Sequence, residues 1–271
     1  MKSGNECNFF FTFELLLIAL NNALIIVPTY NEKENINFLI DAVFALPMSF
    51  DMLIVDDASP DGTAQLVKEK QKQYNLRETR LCLMEREGKM GLGTAYIAGF
   101  RFALEKNYQY VLEMDADFSH DPKDLIRLYR ACAEDEFDLA VGSRYVTGVN
   151  VVNWPIGRIL LSYFASLYVR FITGIPIFDT TAGFVCYRRN VLNTLPLHEI
   201  KFLGYAFQIE MKFLTWKHGF RIKEVPIIFY DRTRGQSKMS VNIFKEAFWG
   251  VVQMTAQSWF KKYPKIKTLG F

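Results

Sequence analysis

Two periods alternate along the first half of this chain, and that alternation constrains its fold more than any other feature. Short apolar runs at 24–28 (LIIVP), 51–55 (DMLIV), 80–84 (RLCLM), 109–114 (QYVLEM) and 137–141 (FDLAV) are separated by helix-period segments at 34–46, 61–74, 92–106 and 121–133. Continuous apolar runs of this length are strands buried on both faces, and strands alternating with helices make βαβ units and a mostly parallel sheet. Right-handed crossovers then bring every strand's C-terminal end to one rim, where open α/β sheets bind ligands. The polar clusters follow the strands: PTYNEKEN after the first, DDASPDGT after the second, DADFSHDP after the fourth and GSRYVTG after the fifth. The expected fold class is α/β, a mostly parallel central sheet with flanking helices.

From about 153 the texture changes. Segment 155–172 carries Ile156, Leu160, Tyr163, Leu167 and Phe171, with a narrow stripe of Arg158, Ser162, Ser166 and Arg170 every fourth residue. Residues four apart share a helix face, and a helix apolar nearly all round is either buried or in contact with lipid. Segment 240–260 repeats Phe244, Phe248, Val252, Ala256 and Trp259 at helical spacing, followed by Lys261, Lys262, Lys265 and Lys267. Core packing plus a solvated tail competes there with binding at a membrane interface, to which each lysine adds about 1 kcal/mol near anionic lipid.

Composition narrows the function. The 32 Lys and Arg against 29 Asp and Glu leave a formal charge of +3, too small for a nucleic-acid-binding face. Cys7, Cys82, Cys132 and Cys186 form no paired spacing, and His120, His198 and His218 are dispersed. A disulfide framework and a local zinc cluster are therefore not expected. Residues 9–20 (FFFTFELLLIAL) are interrupted by Glu14 and reach about half the ~20 residues a spanning helix needs. A signal peptide with Lys2 in its n-region is the sharper reading, but LIIVP follows as a core strand without a small-residue cleavage site. Residues 1–22 are accordingly read as a non-core apolar extension, 23–239 as the catalytic domain, and 240–271 as an amphipathic helix with a basic, membrane-peripheral tail. No stretch is expected to span a membrane.

The strongest local signal is Asp115-Ala116-Asp117 closing the fourth strand. Residues i and i+2 of an extended chain point the same way, and two carboxylates that close repel unless a cation lies between them. A hard divalent ion held by carboxylates and substrate phosphates resolves this; the plainer alternative is a capping loop ahead of the helix that Asp121-Pro122 begins. After the first strand, Tyr30 can stack on a base and Glu32 can accept from ribose or base donors, while Asn31 and Glu34 also fit a capping box. After the second, Ser59-Pro60-Asp61-Gly62 is turn chemistry, and Asp56 and Asp57 exceed what that turn requires, so that one can read a nucleobase edge. Gly91-Leu92-Gly93-Thr94 lacks the remaining elements of a dinucleotide or P-loop fingerprint and is read as close helix packing. Arg144, Arg158, Arg232, Arg234 and Lys238 supply guanidinium forks and a point charge suited to phosphate.

The ordered set VPTYNEKENI, VDDASPDGT, GLGTAY, MDADFSHDP, GSRYVTG, DTTAGF, YAFQIEM and DRTRGQSKMS resembles the family 2 glycosyltransferases, and within them the dolichol- or polyprenol-phosphate mannosyltransferases, over about 24–245. The resemblance implies a GT-A (Rossmann-like) fold, GDP-mannose as donor, a polyprenyl or dolichyl phosphate as acceptor, and Mg²⁺ or Mn²⁺. By position, Pro28, Tyr30, Glu32, Val55 and Asp57 stand for the guanosine-side contacts, Asp115 and Ala116 for further donor contacts, and Asp117 for the metal ligand. Arg144, Arg232 and Lys238 stand for the phosphate-binding cations and Arg158 for another acceptor-phosphate contact; Asp117, Arg144 and Arg232 form the catalytic set. Ser119 departs from the Gln that many relatives use as a second metal ligand. The C-terminal transmembrane helices of some relatives have no counterpart, so the resemblance implies a cytoplasmic enzyme held peripherally at the membrane's cytoplasmic face, with a small membrane subunit as a candidate partner. Two alternatives are carried: a polyprenyl-phosphate glycosyltransferase using another donor such as UDP-glucose, and a non-catalytic nucleotide-sugar-binding or scaffold subunit.

Overall fold

A computed structural model describes residues 22–232 and 241–265. Residues 1–21, including Cys7, lie outside the described residues, as do Lys238 and Lys267.

β1 (Ala23–Thr29), β2 (Asp51–Asp56), β3 (Leu81–Glu85), β4 (Tyr110–Glu113) and β5 (Leu139–Ser143) fall on the five apolar runs. Between them lie α1 (Ile36–Phe44), α2 (Thr63–Tyr74), α3 (Leu92–Glu105) and α4 (Asp124–Ala133). The rest of the chain contributes β6 (Val151–Val152), α5 (Ile156–Thr173), β7 (Val185–Arg188), α6 (Arg189–Thr194), α7 (Tyr205–Lys217), β8 (Ile222–Pro226), β9 (Phe229–Tyr230) and α8 (Val241–Phe260).

Seven strands form the main sheet in the order β3-β2-β1-β4-β7-β5-β8, and β6 pairs with β9 in a small second sheet. Only β7 runs antiparallel, between β4 and β5. Alternate residues of β1 and β2 enter opposite layers. Ile25, Val27, Met52 and Ile54 pack under Ile36, Leu39 and Leu125; Leu24, Ile26, Leu53 and Val55 pack under Tyr96, Phe100 and Phe207. Both faces are therefore covered, which is why these strands read as unbroken apolar runs. From β1 the chain moves outward one way to β2 and β3, then crosses to β4 on the other side. That reversal opens a crevice beyond the carboxyl ends of β1 and β4.

The glycines at the start of α3 serve packing. A Cβ on Gly93 would lie 2.8 Å from the Phe207 ring and 2.9 Å from the Phe202 carbonyl oxygen. An added methyl there forces α3 off its neighbours, at about 1–3 kcal/mol.

Residues 224–230 (EVPIIFY) divide between the two sheets: β8 ends at Pro226, and the chain leaves the main sheet to form β9 with β6. Asn31 is not a helix cap; it adopts a left-handed φ of 55°, and α1 begins after Asn35. α5 is long and apolar enough to cross a membrane by length and composition, although no such stretch was expected; its 18 residues extend about 27 Å at 1.5 Å each. Its burial is also inverted relative to a core helix: Ser166, Val169 and Thr173 are the buried residues, while Ile156, Phe164 and Phe171 stand outward, Phe171 at 86% exposure. The inner side is pinned by Tyr163 edge-on to Tyr145 and by Tyr168, which stacks on Phe248 of α8 at 4.7 Å and donates to its carbonyl at 2.9 Å.

Candidate active site

The loops after β1 and β2 are stitched into one wall. The backbone N–H groups of Asn31, Glu32 and Lys33 donate to Ser59 Oγ, Thr63 Oγ1 and Asp61 Oδ2, each at 3.0 Å. Asp56 is buried and accepts from Thr29 Oγ1 (2.8 Å), Ser59 N (2.9 Å) and Ser59 Oγ (2.6 Å). Contrary to expectation, the turn uses this carboxylate in full. Asp57 faces Arg86, which donates from Nε at 2.5 Å and also from Nη2, while Met90 N–H reaches its other oxygen at 3.3 Å. Arg86 further donates to Thr94 Oγ1 at 2.6 Å, and Lys89 lies 4.9 Å from the Tyr30 ring centre. Pro28 is the register partner of Val55. Val55 has no exposed surface, so it holds strand register and does not line an open site.

The acidic pair sits otherwise than a strand would place it. β4 ends at Glu113, and Ala116 and Asp117 lie in a turn, so the two carboxylates converge through the turn rather than through strand alternation. Asp117 Oδ1 accepts from the backbone N–H of Ser119 at 3.0 Å and from its hydroxyl. Oδ2 meets Arg232 Nη2 at 3.1 Å. Ala116 and Ser119 are buried, and the Ser119 hydroxyl is committed to Asp117. Burial first, then the neighbouring Asp117, pushes the Asp115 carboxyl up to about 7 against the opposing pull of Arg232. A carboxylate held up by its neighbour is what a divalent cation would relieve. Among the described residues no cluster of three or more His, Cys, Asp or Glu forms a closed metal cage. Asp115 and Asp117 offer two neighbouring carboxylates, a donor set that suits a hard divalent ion whose other ligands are substrate oxygens.

The cations converge through the small sheet. Tyr230 N–H donates to Ser119 O at 3.1 Å, tying β9 to the Asp117 turn one residue before Asp231-Arg232. Asp231 Oδ1 accepts from Arg158 Nη1 at 2.7 Å and from Arg232 N–H at 3.1 Å. Arg144 is buried and grips Asp179 through Nε (2.7 Å), Nη2 (2.6 Å) and its own backbone N–H (2.9 Å), with Thr181 Oγ1 at 2.8 Å from Nη2. Burial pushes Asp179 up, but the Arg144 charge and hydrogen bonds hold the carboxyl below its ordinary value. Arg144 also lies 5.2–5.6 Å from the rings of Tyr145, Trp154 and Phe229, and Arg158 lies over Trp154 at 4.1 Å. One pocket is lined by Asp115, His120, Arg144, Trp154, Arg158, Ala182, Gly183, Gln208 and Phe229. Pro28, Tyr30, Glu32 and Asp57 stand on the opposite wall of the rim.

A model of glycosyl transferase family 2 matches residues 24–195. The chain belongs to that family. A polyprenol monophosphomannose synthase from Mycolicibacterium smegmatis is 44% identical over 84% of this family 2 glycosyltransferase and 86% of its own length. An undecaprenyl-phosphate mannosyltransferase from Micrococcus luteus is 43% identical over 85% and 92%. Among solved structures, glucosyl-3-phosphoglycerate synthase from Mycobacterium tuberculosis, in complex with Mn²⁺, UDP and glucosyl-3-phosphoglycerate, aligns with a TM-score of 0.62 at 15% identity, over 92% of this chain and 82% of that one. The fold of this family 2 glycosyltransferase is thus GT-A, and the chain is an enzyme rather than a scaffold subunit.

Several residues of the site went unread in the sequence. Asp179 lies in DTTAGF and Gln208 in YAFQIEM, where nothing in the local pattern sets them apart; Arg86, Trp154 and Phe229 likewise carry no local signal. His120 stacks on Phe184 at 4.6 Å and meets Phe229 edge-on at 5.3 Å. Burial outweighs the nearby Asp117 charge and brings its imidazole down to about 4. Beneath the pocket, Gln208 Nε2 donates to buried Glu113 at 2.5 Å, and Lys212 Nζ donates to Ala182 O at 2.5 Å and Gln208 O at 3.1 Å. Burial raises the Glu113 carboxyl and lowers the Lys212 ammonium.

Proposed function

We propose that this enzyme transfers mannose from GDP-mannose to a polyprenyl phosphate, with inversion, to give a β-mannosyl phosphoryl lipid. The observation that carries the reading is the meeting of charges on one rim: Arg232 reaches Asp117, and Arg144 and Arg158 line the same pocket as Asp115. The names of the two relatives support mannose and a polyprenyl phosphate as the transferred group and acceptor.

The chemistry asks little proton transfer of the protein. A phosphate monoester has its second pKa near about 6, so the acceptor oxygen is already anionic at neutral pH. That oxygen forms its bond to the anomeric carbon from the face opposite the diphosphate. The bond to the diphosphate breaks with its electron pair, leaving as GDP. The difficulty is electrostatic, because nucleophile and leaving group are both anions. Arg144, Arg158 and Arg232 hold the acceptor phosphate and offset that repulsion; Lys238, outside the described residues, belongs to the same set. Asp117, aided by Asp115, would hold Mg²⁺ or Mn²⁺, which when bound neutralises charge on the leaving diphosphate. Tyr30, Glu32 and Asp57 hold the nucleoside, with Pro28 and Ala116 shaping the same wall.

The lipid tail lies along the outward face of α5, where Leu160, Phe164 and Phe171 are exposed. Trp249, Trp259 and Phe260 of α8 are exposed as well, and Lys262 and Lys265 follow that helix in the chain; Lys261 is instead paired with Glu199 at 2.6 Å. The enzyme sits peripherally on the cytoplasmic face of the membrane, and this surface also suits a small membrane subunit. The test is purified protein with radiolabelled GDP-mannose and a short polyprenyl phosphate, with and without EDTA, and with UDP-glucose as the competing donor. Label entering an organic-extractable, acid-labile product only in the metal-containing GDP-mannose reaction is expected. Transfer from UDP-glucose alone, or transfer indifferent to EDTA, would overturn the donor or the metal assignment respectively.

A further inference from the structure

Trp154 stands two residues beyond β6, at the mouth of α5, beside both Arg144 and Arg158. Its ring carries the Arg158 guanidinium at 4.1 Å, lies 5.6 Å from that of Arg144, and meets Phe229 of β9 edge-on at 5.1 Å. One indole thus spaces the two guanidinium groups, and the small sheet fixes the indole. A planar cation against an aromatic face is held by the ring's quadrupole, most strongly where water is excluded.

The second observation is chemical. The indole Nε1–H is buried and has no hydrogen-bond partner among the described residues. An indole nitrogen donates and cannot accept. A buried donor left unanswered is costly and calls for an explanation. Here it belongs to a ring lining the pocket that Arg144 and Arg158 also line. His120 Nδ1, in the same pocket, is likewise buried without a partner. Two guanidinium groups and an orphaned N–H call for a ligand with several acceptor oxygens and negative charge.

We infer that Trp154 is a binding residue for the acceptor's phosphate: its face sets the spacing of Arg144 and Arg158, and its indole N–H donates to a phosphate oxygen. This rests on the acceptor being a phosphate monoester, as proposed above. It assigns the tryptophan a role in acceptor recognition and none in holding the nucleotide.

Two substitutions separate the face from the N–H. Trp154→Phe keeps a ring for the guanidinium groups and deletes the donor; Trp154→Ala removes both. Binding of geranyl phosphate, a soluble prenyl phosphate, and of GDP-mannose is measured by calorimetry on the full chain, alongside mannosyl transfer. A hydrogen bond to a charged group corresponds to about tenfold in affinity, so Trp154→Phe is expected to weaken geranyl phosphate binding about tenfold and to raise its KM equally. Trp154→Ala is expected to weaken it further, and GDP-mannose affinity stays unchanged in both, which also reports that the variants are folded. Wild-type binding of geranyl phosphate with an unchanged Trp154→Phe variant would overturn the role of the N–H. Equal weakening of GDP-mannose and geranyl phosphate would overturn acceptor specificity and mark a structural residue. A wild-type protein that binds GDP-mannose but neither binds nor mannosylates geranyl phosphate or a longer polyprenyl phosphate would overturn the acceptor reading itself, and this inference with it.

Discussion

The two walls of the rim are built on opposite plans. Over β1 and β2, polar groups are answered from within the chain: Asp56 by Thr29 and Ser59, Asp57 by Arg86 and Met90, and three successive backbone N–H groups by Ser59, Asp61 and Thr63. Over β5, β6 and β9, Trp154 and His120 each keep a buried ring nitrogen without a partner among the described residues. The helix beside them turns Ser166 inward and Phe164 and Phe171 outward. One wall is complete before anything binds; the other reads as unfinished without an anionic head and an apolar tail. A nucleotide can dock on a preformed surface in water, whereas an amphiphile brings part of its own environment.

Loss of the charge that joins the walls should have the largest effect. Asp117→Asn is expected to lower kcat by about 10²–10³-fold, the scale on which preorganised charges act in transition states, while circular dichroism and the melting temperature hold. Retained EDTA-sensitive transfer would detach Asp117 from the metal. Next is the buried pair that supports the unfinished wall. Asp179→Asn removes the carboxylate charge that faces the buried Arg144 guanidinium, which costs about 3–5 kcal/mol. Because the folded Asp179 carboxyl lies below its ordinary value, its contribution is present at neutral pH and fades as pH falls through the folded value. Urea midpoints of wild type and variant should therefore differ widely at pH 7 and converge in strong acid; a gap independent of pH would remove the charge from the explanation.

The preformed wall is tested by Arg86→Met. With Asp57 left only the Met90 N–H, the KM for the nucleotide sugar should rise about tenfold, the cost of a broken charge-assisted bond, while the acceptor KM stays put. Movement of the acceptor KM alone would break the division into walls. The smallest effect belongs to the outer face of α5. Phe164→Ser should reduce flotation with anionic vesicles severalfold, about 1 kcal/mol of lost apolar contact, and leave the melting temperature near that of wild type. A strongly destabilised variant would show that Phe164 packs against the protein after all.

The preformed wall was also the more legible one. β1 and β2 are buried on both faces, so their identity survives as an apolar run. Their loops are short, and their hydrogen bonds are local or pass between neighbouring loops. The other wall is assembled from distant parts. Arg144 and Asp179 are 35 residues apart, and Arg158 and Asp231 are 73 apart, so no spacing rule links them. β7 was missed because a four-residue antiparallel strand between two parallel neighbours has the same apolar look as any buried segment. Asp56 was misjudged because an aspartate that staples a turn and one that reads a base are the same letter; only Thr29, brought alongside by β1–β2 pairing, tells them apart. The periodicity of α5 correctly gave a helix, yet pattern alone does not say which side of a nearly uniform cylinder faces the protein.

The short passage from β8 to β9 acts as a ruler. Only Ile227 and Ile228 separate the last strand of the main sheet from the strand that delivers Phe229, Asp231 and Arg232, and Ile227 N–H is still bonded to Ser143 O at 3.0 Å. Strand side chains alternate, so a single extra residue in this gap would rotate the arm by half a period. Phe229 would leave its place beside Trp154, and Asp231 its place beneath Arg158. Homologous chains that keep this chemistry should vary freely in surface loops but hold this two-residue count fixed.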